Sequence, residues 1–208
     1  MGQRILLVEG DDDLHVIAKL CKCCDIPETF SIVECGGYDK LLESIPVRIK
    51  GSDIDVLGIV VDADEDIEAR WKSIHAKLAQ AGYSSMLPPK PLPEGVLFES
   101  SSGAPLLPRI GIWLMPDNQT PGILENFVSF LVPDGDRLWP VAEKAVADIP
   151  HELVRYKKQY KPKANIHTYL AWQEEPGKPM GQSITKGVLN PKQPVCLKFV
   201  AWLKRVFE

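Results

Sequence analysis

Residues 56–66, VLGIVVDADED, end a short apolar run in a cluster of carboxylates. The run is rich in β-branched residues, which is typical of a parallel strand that is covered on both faces. Asp62 and Asp64 follow it directly. Since alternate residues of a strand point the same way, these two side chains can converge on one cation, and carboxylates are the usual ligands of Mg2+. The alternative is a helix start, in which Asp64 or Asp66 is the N-cap residue.

Strands and helices alternate on both sides of this stretch. Apolar runs predict strands at residues 5–8, 32–35, 56–61 and 110–115. Apolar residues at helical spacing predict helices at residues 11–21, 38–50 and 67–81. This alternation predicts an α/β fold with a mostly parallel sheet flanked by helices, as in Rossmann-like folds, over residues 1–133.

Residues 86–108 interrupt the alternation. They contain six prolines and a run of three serines, which excludes a regular helix, and residues 96–99 can form a short strand within them. We expect a surface excursion, either a β-hairpin that leads back to the sheet or a linker, because a core strand resumes directly after it.

A second polar turn follows the strand predicted at residues 110–115. Asp117, Asn118 and Gln119 form this turn, and Pro121 predicts the first position of another helix. Glu125 then lies in the first or second turn of that helix. It is either part of a site or a surface acid that the helix dipole favours.

Residues 134–208 predict a helical, basic C-terminal extension that packs on the core. Up to Val154 the chain has 13 Lys and Arg against 25 Asp and Glu, and from Arg155 onward it has 11 against 3. Tyr156 and Tyr160 are interleaved with basic residues, a combination that suits nucleic acid, although charges also serve to solubilise helix faces. We expect helices at residues 138–147, 151–160, 164–173 and 195–207, and a loop at residues 174–182.

The composition is that of an ordinary globular protein, with 208 residues, 45% hydrophobic residues and a net charge of -4. The first apolar run is too short for a signal peptide, and no segment reaches the length of a membrane span. We therefore expect a cytoplasmic protein with no membrane partner. Its five cysteines should be reduced, and their spacing does not favour a zinc site.

Two segments, ILLVEGDDDLHVI and VLGIVVDADED, together resemble the Toprim domain of topoisomerases, DnaG-type primases and the OLD family of nucleases. In that family a Glu-Gly pair closes the first strand, an aspartate follows three residues after the glycine, and an Asp-x-Asp closes a later central strand. This sequence has Glu9-Gly10, Asp13, Asp62 and Asp64 at those places. The resemblance covers about the first 130 residues and implies a Toprim-like fold.

The later part of the chain resembles the stand-alone Toprim-like proteins allied to the OLD nucleases. In that group a glycine-containing segment adds an acidic ligand, which corresponds here to Glu125. A lysine near a C-terminal helix contacts the site, and Lys163 is the best match, with Lys161 and Lys186 as rivals. The resemblance thus implies Mg2+ or Mn2+ held by Glu9, Asp13, Asp62, Asp64 and Glu125. It also implies catalytic roles for Glu9 and Lys163.

Three functions remain open at this point. The resemblance favours a metal-dependent nuclease that cleaves phosphodiester bonds of nucleic acid, DNA rather than RNA. The second is a module that binds Mg2+ and nucleic acid, or a partner protein, without turnover. The third is a phosphatase or phosphoacceptor in which one strand-end aspartate is the nucleophile. A Walker A pattern is absent, so the ATPase domain of the OLD proteins is not expected here. Whether the protein forms a homodimer stays open at this point.

Overall fold

The computed structural model describes residues 2–51, 53–83, 87–98 and 107–208. Its strands are β1 (Gln3–Val8), β2 (Ser31–Glu34), β3 (Ile54–Asp62), β4 (Val96–Phe98) and β5 (Arg109–Met115). They form one sheet in the order β2-β1-β3-β5-β4, in which β4 runs antiparallel to β5 and the other neighbours are parallel. The predicted α/β fold with a mostly parallel sheet is therefore confirmed.

The helices are α1 (Asp11–Cys23), α2 (Tyr38–Lys50), α3 (Ile67–Leu78), α4 (Leu124–Ser129), α5 (Trp139–Ala147), α6 (Lys161–Ala171), α7 (Met180–Thr185) and α8 (Pro194–Phe207). A π-helical turn, Ala79–Tyr83, follows α3, and two 3-10 turns cover His151–Leu153 and Lys158–Tyr160. None of the helices in the described part of the chain is long and apolar enough to cross a membrane.

The sheet is buried on both faces, which explains why its central strands are continuously apolar. In β1, Leu6 and Val8 belong to a core formed with α1, α4 and the C-terminal helices, whereas Ile5 and Leu7 belong to a second core formed with α2 and α3. Because side chains alternate along a strand, each face takes every second residue. The helices after residue 133 contribute to the first of these cores.

Two glycines allow α8 to lie directly on the sheet. Gly58 of β3 and Gly111 of β5 are register partners. A Cβ atom at Gly111 would clash with Val206 Cγ2, and one at Gly58 would lie 2.9 Å from Phe207 Cζ. Helix α8 therefore packs on the middle of the sheet, at a distance that only glycine permits at these two positions.

The excursion at residues 86–108 returns to the sheet through β4. The predicted short strand is present, and its antiparallel pairing with β5 adds an edge to the sheet. Trp71 Nε1–H donates to the carbonyl of Pro88 at 3.2 Å, and Trp202 Nε1–H donates to the carbonyl of Val96 at 3.0 Å. Glu99 and the serine run that follows it lie outside the described residues.

The helix predicted at residues 151–160 is wrong. The structure has two 3-10 turns there, His151–Leu153 and Lys158–Tyr160, and neither contains a buried residue. Most helical stability in proteins comes from packing an apolar face, and this segment has no such face to pack. Its basic residues therefore lie on an irregular surface stretch.

Other helix ends differ from the prediction. Pro121 is not the first helical residue, because Gly122 pairs with Asp64 in an antiparallel bridge and α4 begins only at Leu124. Helix α6 begins at Lys161, three residues earlier than expected, with Pro162 in its first turn, where proline is tolerated. Helix α7 was not predicted, since its six residues are too few to show a period, and the loop predicted at residues 174–182 is wrong at its last three residues, which are helical.

Candidate functional site

The acidic pocket lies at the carboxyl edge of the parallel strands. Glu9 follows β1 and Asp62 ends β3, and neighbouring parallel strands bring their carboxyl ends to one edge, where open α/β sheets place their sites. The cavity there measures about 520 Å3. Its walls include the carboxylates Glu9, Asp11, Asp12, Asp13, Glu34, Asp62, Asp64 and Glu125, together with Gln159, Tyr160 and Lys163.

Glu9 and Asp62 are held by backbone groups of neighbouring elements. Glu9 Oε1 accepts a hydrogen bond from the Asp62 N–H at 2.8 Å, and Asp62 Oδ1 accepts one from the Leu124 N–H at 2.8 Å. The second bond places the Asp62 carboxylate at the amino end of α4, where a negative charge is favourable. These contacts link β1, β3 and α4 at the centre of the pocket.

Asp13 lies against this pair from α1. Its Oδ2 accepts a hydrogen bond from the Gly10 N–H at 3.1 Å. Its Oδ1 is buried and has no hydrogen-bond partner among the described residues. An unpaired oxygen on a buried carboxylate is costly unless a donor or a cation meets it.

Three carboxylates at the centre of the pocket, Glu9, Asp13 and Asp62, resist ionisation. Burial, followed by the charge of Glu9 and that of Glu125, raises the pKa of Asp13 to about 7. Burial and then the charges of Asp13, Glu9 and Glu125 raise the pKa of Asp62 well above its ordinary value. Burial also raises the pKa of Glu9, against the opposing effects of the Asp62 N–H and Arg70. The cluster therefore favours either bound protons or a bound cation.

Glu125 and Lys163 close the pocket from the side of the C-terminal helices. Glu125 is buried, and Lys163 Nζ lies 2.9 Å from its Oε1 and 3.2 Å from Oδ2 of Asp12. Partial burial lowers the pKa of Lys163, but the contacts with Glu125 and Asp12 outweigh this and raise it above its ordinary value. Lys163 is thus a charged lysine that already interacts with the acidic pocket.

Asp64 lines the same pocket but has a different partner from Asp62. Strand β3 ends at Asp62, and Asp64 takes a left-handed backbone conformation with φ of 51°. Its carboxylate pairs with Arg70, whose guanidinium carbon lies 3.6 Å from the centre of the Tyr38 ring. The simple alternation expected for a continued strand therefore does not apply at Asp64, whereas Asp66 is the N-cap of α3, as one alternative predicted.

All the predicted site residues line this one cavity, but they have different partners within it. Glu9, Asp13 and Asp62 meet at its centre, Glu125 pairs with Lys163, and Asp64 pairs with Arg70. The rival lysines lie elsewhere, since Lys161 is exposed outside the lining and Lys186 pairs with Glu175 at 3.1 Å in a separate cavity.

Several residues that contribute to the site were not predicted as site residues. Asp12 and Arg70 supply the second partner of Lys163 and the partner of Asp64, and Tyr160 lines the pocket beside Lys163. Asp12 lies in a visible run of acids, which was the signal for it. Nothing in the sequence signals Arg70, because its contact depends on the turn at Asp64.

The donor set fits a hard divalent cation, because every candidate ligand is a carboxylate and Asp13 Oδ1 accepts no hydrogen bond from the described residues. Within the described residues, however, no group of three or more His, Cys, Asp or Glu side chains is placed to hold a metal ion as it stands. The candidate ligands have other partners here, since Lys163 and Arg70 engage Glu125 and Asp64, and backbone N–H groups engage Glu9, Asp13 and Asp62. Binding of a cation would require these side chains to rearrange.

The fold and the pocket define an α/β protein with an acidic site at the carboxyl edge of its sheet. The chain belongs to the DUF3226 family, which is described as a protein of unknown function, and the family model matches residues 3–208. No curated protein and no solved structure matches the chain.

Proposed function

We propose that the protein is a Toprim-type nuclease that uses Mg2+ or Mn2+ to cleave phosphodiester bonds in nucleic acid, DNA in preference to RNA. The observation that carries this proposal is the meeting of Glu9, Asp13 and Asp62 at the ends of β1 and β3, where Asp13 Oδ1 has no partner among the described residues. Burial and then repulsion among the carboxylates raise the pKa values of Asp13 and Asp62, and a cation in the pocket would relieve that repulsion.

A divalent cation bound there would supply polarisation of the phosphate and activation of a water molecule. On the protein side, Asp13, Asp62 and Glu125 would hold the cation, and Asp64 would join them if its ion pair with Arg70 opened. Glu9 is the general base or acid, or a further ligand. Its raised pKa moves its titration towards neutral pH, as proton transfer requires.

Lys163 has two roles in this proposal. It now offsets the charges of Glu125 and Asp12, and its half-exposed side chain lines the cavity. When a phosphate enters, the same group can stabilise the negative charge that develops on it, in exchange for one of its carboxylate partners.

The basic surface beside the pocket favours a nucleic-acid substrate. Arg155, Lys157 and Lys158 are exposed, and the stretch continues through Gln159 and Tyr160 into the pocket wall. Backbone phosphates can contact this stretch while a scissile phosphate lies at the carboxylates. The proposal places the enzyme in the cytoplasm, where its five free cysteines stay reduced.

A cleavage assay tests the proposal directly. Supercoiled plasmid, single-stranded DNA and RNA are each incubated with wild type, Asp62→Ala and Asp55→Ala in Mg2+, in Mn2+ and in EDTA. Asp55 is an exposed acid at the opposite end of β3, so it is a matched control. We expect wild type and Asp55→Ala to cleave DNA only with metal, and Asp62→Ala to be inactive. Cleavage that persists in Asp62→Ala would contradict the proposal.

The second candidate is a module that binds Mg2+ and nucleic acid without turnover. It is favoured by the ion pairs of Lys163 with Glu125 and of Arg70 with Asp64, which engage the lysine that catalysis would use and two of the candidate ligands. Binding of metal and of DNA by wild type, with no cleavage of any substrate in the same assay, would select this candidate.

A further inference from the structure

The ion pair of Arg70 with Asp64 lies at the edge of the acidic pocket. Asp64 lines the cavity, whereas Arg70 belongs to α3 and is not one of the lining residues. The side chain of Asp64 is 33% exposed and that of Arg70 is 18% exposed. One carboxylate oxygen of Asp64, Oδ2, is thus bound to a cation that the protein itself supplies.

Arg70 lies at a position where its own helix disfavours a positive charge. It follows Asp66, the N-cap of α3, by four residues and is therefore near the positive end of the helix dipole. Tyr38 of α2 holds the guanidinium in place, since the guanidinium carbon lies 3.6 Å from the centre of the ring. Arg70 therefore needs an anion beside it, and in this structure that anion is Asp64.

The guanidinium of Arg70 would need a new partner if Asp64 turned to a metal ion. A charge that is mostly removed from water is costly unless an opposite charge meets it. The place that the Asp64 carboxylate would leave is part of the cavity wall, so an anion inside the cavity can reach the guanidinium there. Phosphate oxygens match the paired N–H groups of arginine, and the substrate in the proposed function supplies such oxygens.

We infer that Arg70 competes with the metal ion for Asp64 and, once displaced, binds a phosphate group of the substrate. The inference rests on the proposed function, because the metal ion and the phosphate are those of that reaction. Asp64 goes to the metal ion, and the phosphate takes its place on the guanidinium. Metal and phosphate therefore favour each other's binding, and Arg70 of α3 becomes a second cation of the site beside Lys163 of α6.

Replacing Arg70 should have opposite effects on metal binding and on cleavage. Calorimetry measures the Kd of Mg2+ without substrate, and Arg70→Gln should bind Mg2+ roughly fivefold more tightly, because Asp64 has lost the competing cation. At saturating Mg2+ the same variant should lose roughly a hundredfold or more in kcat/KM for a single-stranded DNA oligonucleotide, because the phosphate has lost a cation. A purely structural role of Arg70 would not tighten metal binding.

Lys72→Gln is the matched control. Lys72 is an exposed residue of the same helix and does not line the pocket, so its loss changes the net charge equally. This variant should match wild type in both measurements.

A double-mutant cycle separates competition for Asp64 from the loss of a positive charge near the pocket. In Asp64→Asn the shared carboxylate is gone, so adding Arg70→Gln should leave the Kd of Mg2+ nearly unchanged. Equal tightening in the wild-type and Asp64→Asn backgrounds would overturn the inference, because the effect would then be one of charge alone.

A further measurement does not depend on the folding of a variant. In 15N-labelled wild type, the assigned Nε–H signal of Arg70 should shift when Mg2+ is added, because Asp64 leaves the guanidinium. The inference is overturned if this signal is unchanged at saturating Mg2+, or if Arg70→Gln has either the Kd or the kcat/KM of wild type. Metal-dependent cleavage by wild type together with such a result would overturn this inference alone. A wild type that binds no metal would overturn it together with the proposed function.

Discussion

Asp13 lies beside two other carboxylates, and together with Glu9 and Asp62 it determines how the pocket responds to pH. Its pKa is raised to about 7, first by burial and then by the charges of Glu9 and Glu125. The folded state therefore binds a proton on Asp13 at a pH where the unfolded chain, with an ordinary pKa near 3.8, has lost it. Protonation thus favours folding, and a rise in pH opposes it.

The first prediction concerns the stability of the metal-free protein. Its free energy of unfolding should decline as the pH rises from about 4 to about 7, because the contribution of the raised pKa is complete below the unfolded value and lost above the folded one. Asp13→Asn should flatten this decline. Urea titrations at several pH values in EDTA measure the effect, with exposed Glu43→Gln as control. Equal pH profiles for Asp13→Asn and wild type would contradict the prediction.

The second prediction concerns Lys163. Lys163→Ala should lower the stability of the metal-free protein by about 1 kcal/mol, because Glu125 loses the partner of its charge. It should reduce cleavage by roughly a hundredfold or more, if the lysine stabilises charge on the phosphate. Lys161→Ala removes an exposed lysine two residues away and outside the pocket, so it should match wild type in both measurements. A loss of cleavage in both variants would assign the effect to net charge.

At the scale of elements, the sequence predicts the alternation of strands and helices and the residues that follow the end of each strand. The alternation of apolar runs identified the parallel strands and the helices between them, and the resemblance to Toprim domains implied that Glu9 and Asp62 belong to one site. The ion pair of Asp64 with Arg70 could not be predicted, because it follows from a left-handed residue after β3. The helix predicted at residues 151–160 is wrong because helix propensity does not show whether a face of the segment is packed.

The third prediction concerns the turn that leads into α4. Gly122 has φ of 153°, and a Cβ atom there would lie 2.8 Å from Asn126 Oδ1, which accepts the Ile123 N–H at 3.0 Å. Gly122→Ala should therefore both strain the backbone and displace this cap, at a cost of roughly 2–3 kcal/mol in the free energy of unfolding.

Gly135→Ala provides the control for that prediction. Gly135 also has a positive φ, of 76°, but a Cβ atom there meets nothing within 4 Å, so only the backbone cost of about 1 kcal/mol should appear. Urea unfolding compares the two variants. Equal losses in both would show that the Asn126 cap contributes nothing to the turn.

At the scale of the whole molecule, charge is divided unevenly between an acidic body and a basic C-terminal part. The net charge is -4, yet the residues from Arg155 onward have 11 Lys and Arg against 3 Asp and Glu. Lys163, at the start of α6, joins this basic part to the acidic pocket. In such an arrangement the basic part can bind a polyanion, so that one of its phosphates lies next to the carboxylates while the rest stays away from the acidic surface.

The fourth prediction concerns the salt dependence of nucleic-acid binding. Affinity for DNA should fall steeply with salt. Changing Arg155, Lys157 and Lys158 to Gln should weaken binding and reduce the log–log slope by up to about 0.9 for each phosphate that no longer has a basic partner. A control variant makes the same change of charge at three other exposed lysines, Lys22, Lys50 and Lys72. If both triple variants have the same slope, the stretch beside the pocket is solubilising surface.

The central claim is that the acidic pocket binds a divalent cation, and thermal unfolding with and without metal tests it most directly. At a Mg2+ concentration of about a hundred times its Kd, binding to the folded state adds about 2.7 kcal/mol, which corresponds to a rise in Tm of roughly 5–10 °C for a chain of this size. Wild type and Asp55→Ala should show this rise at constant ionic strength, and Asp62→Ala should not. A Tm of wild type that neither Mg2+ nor Mn2+ changes, or a rise of equal size in Asp62→Ala, would contradict the account.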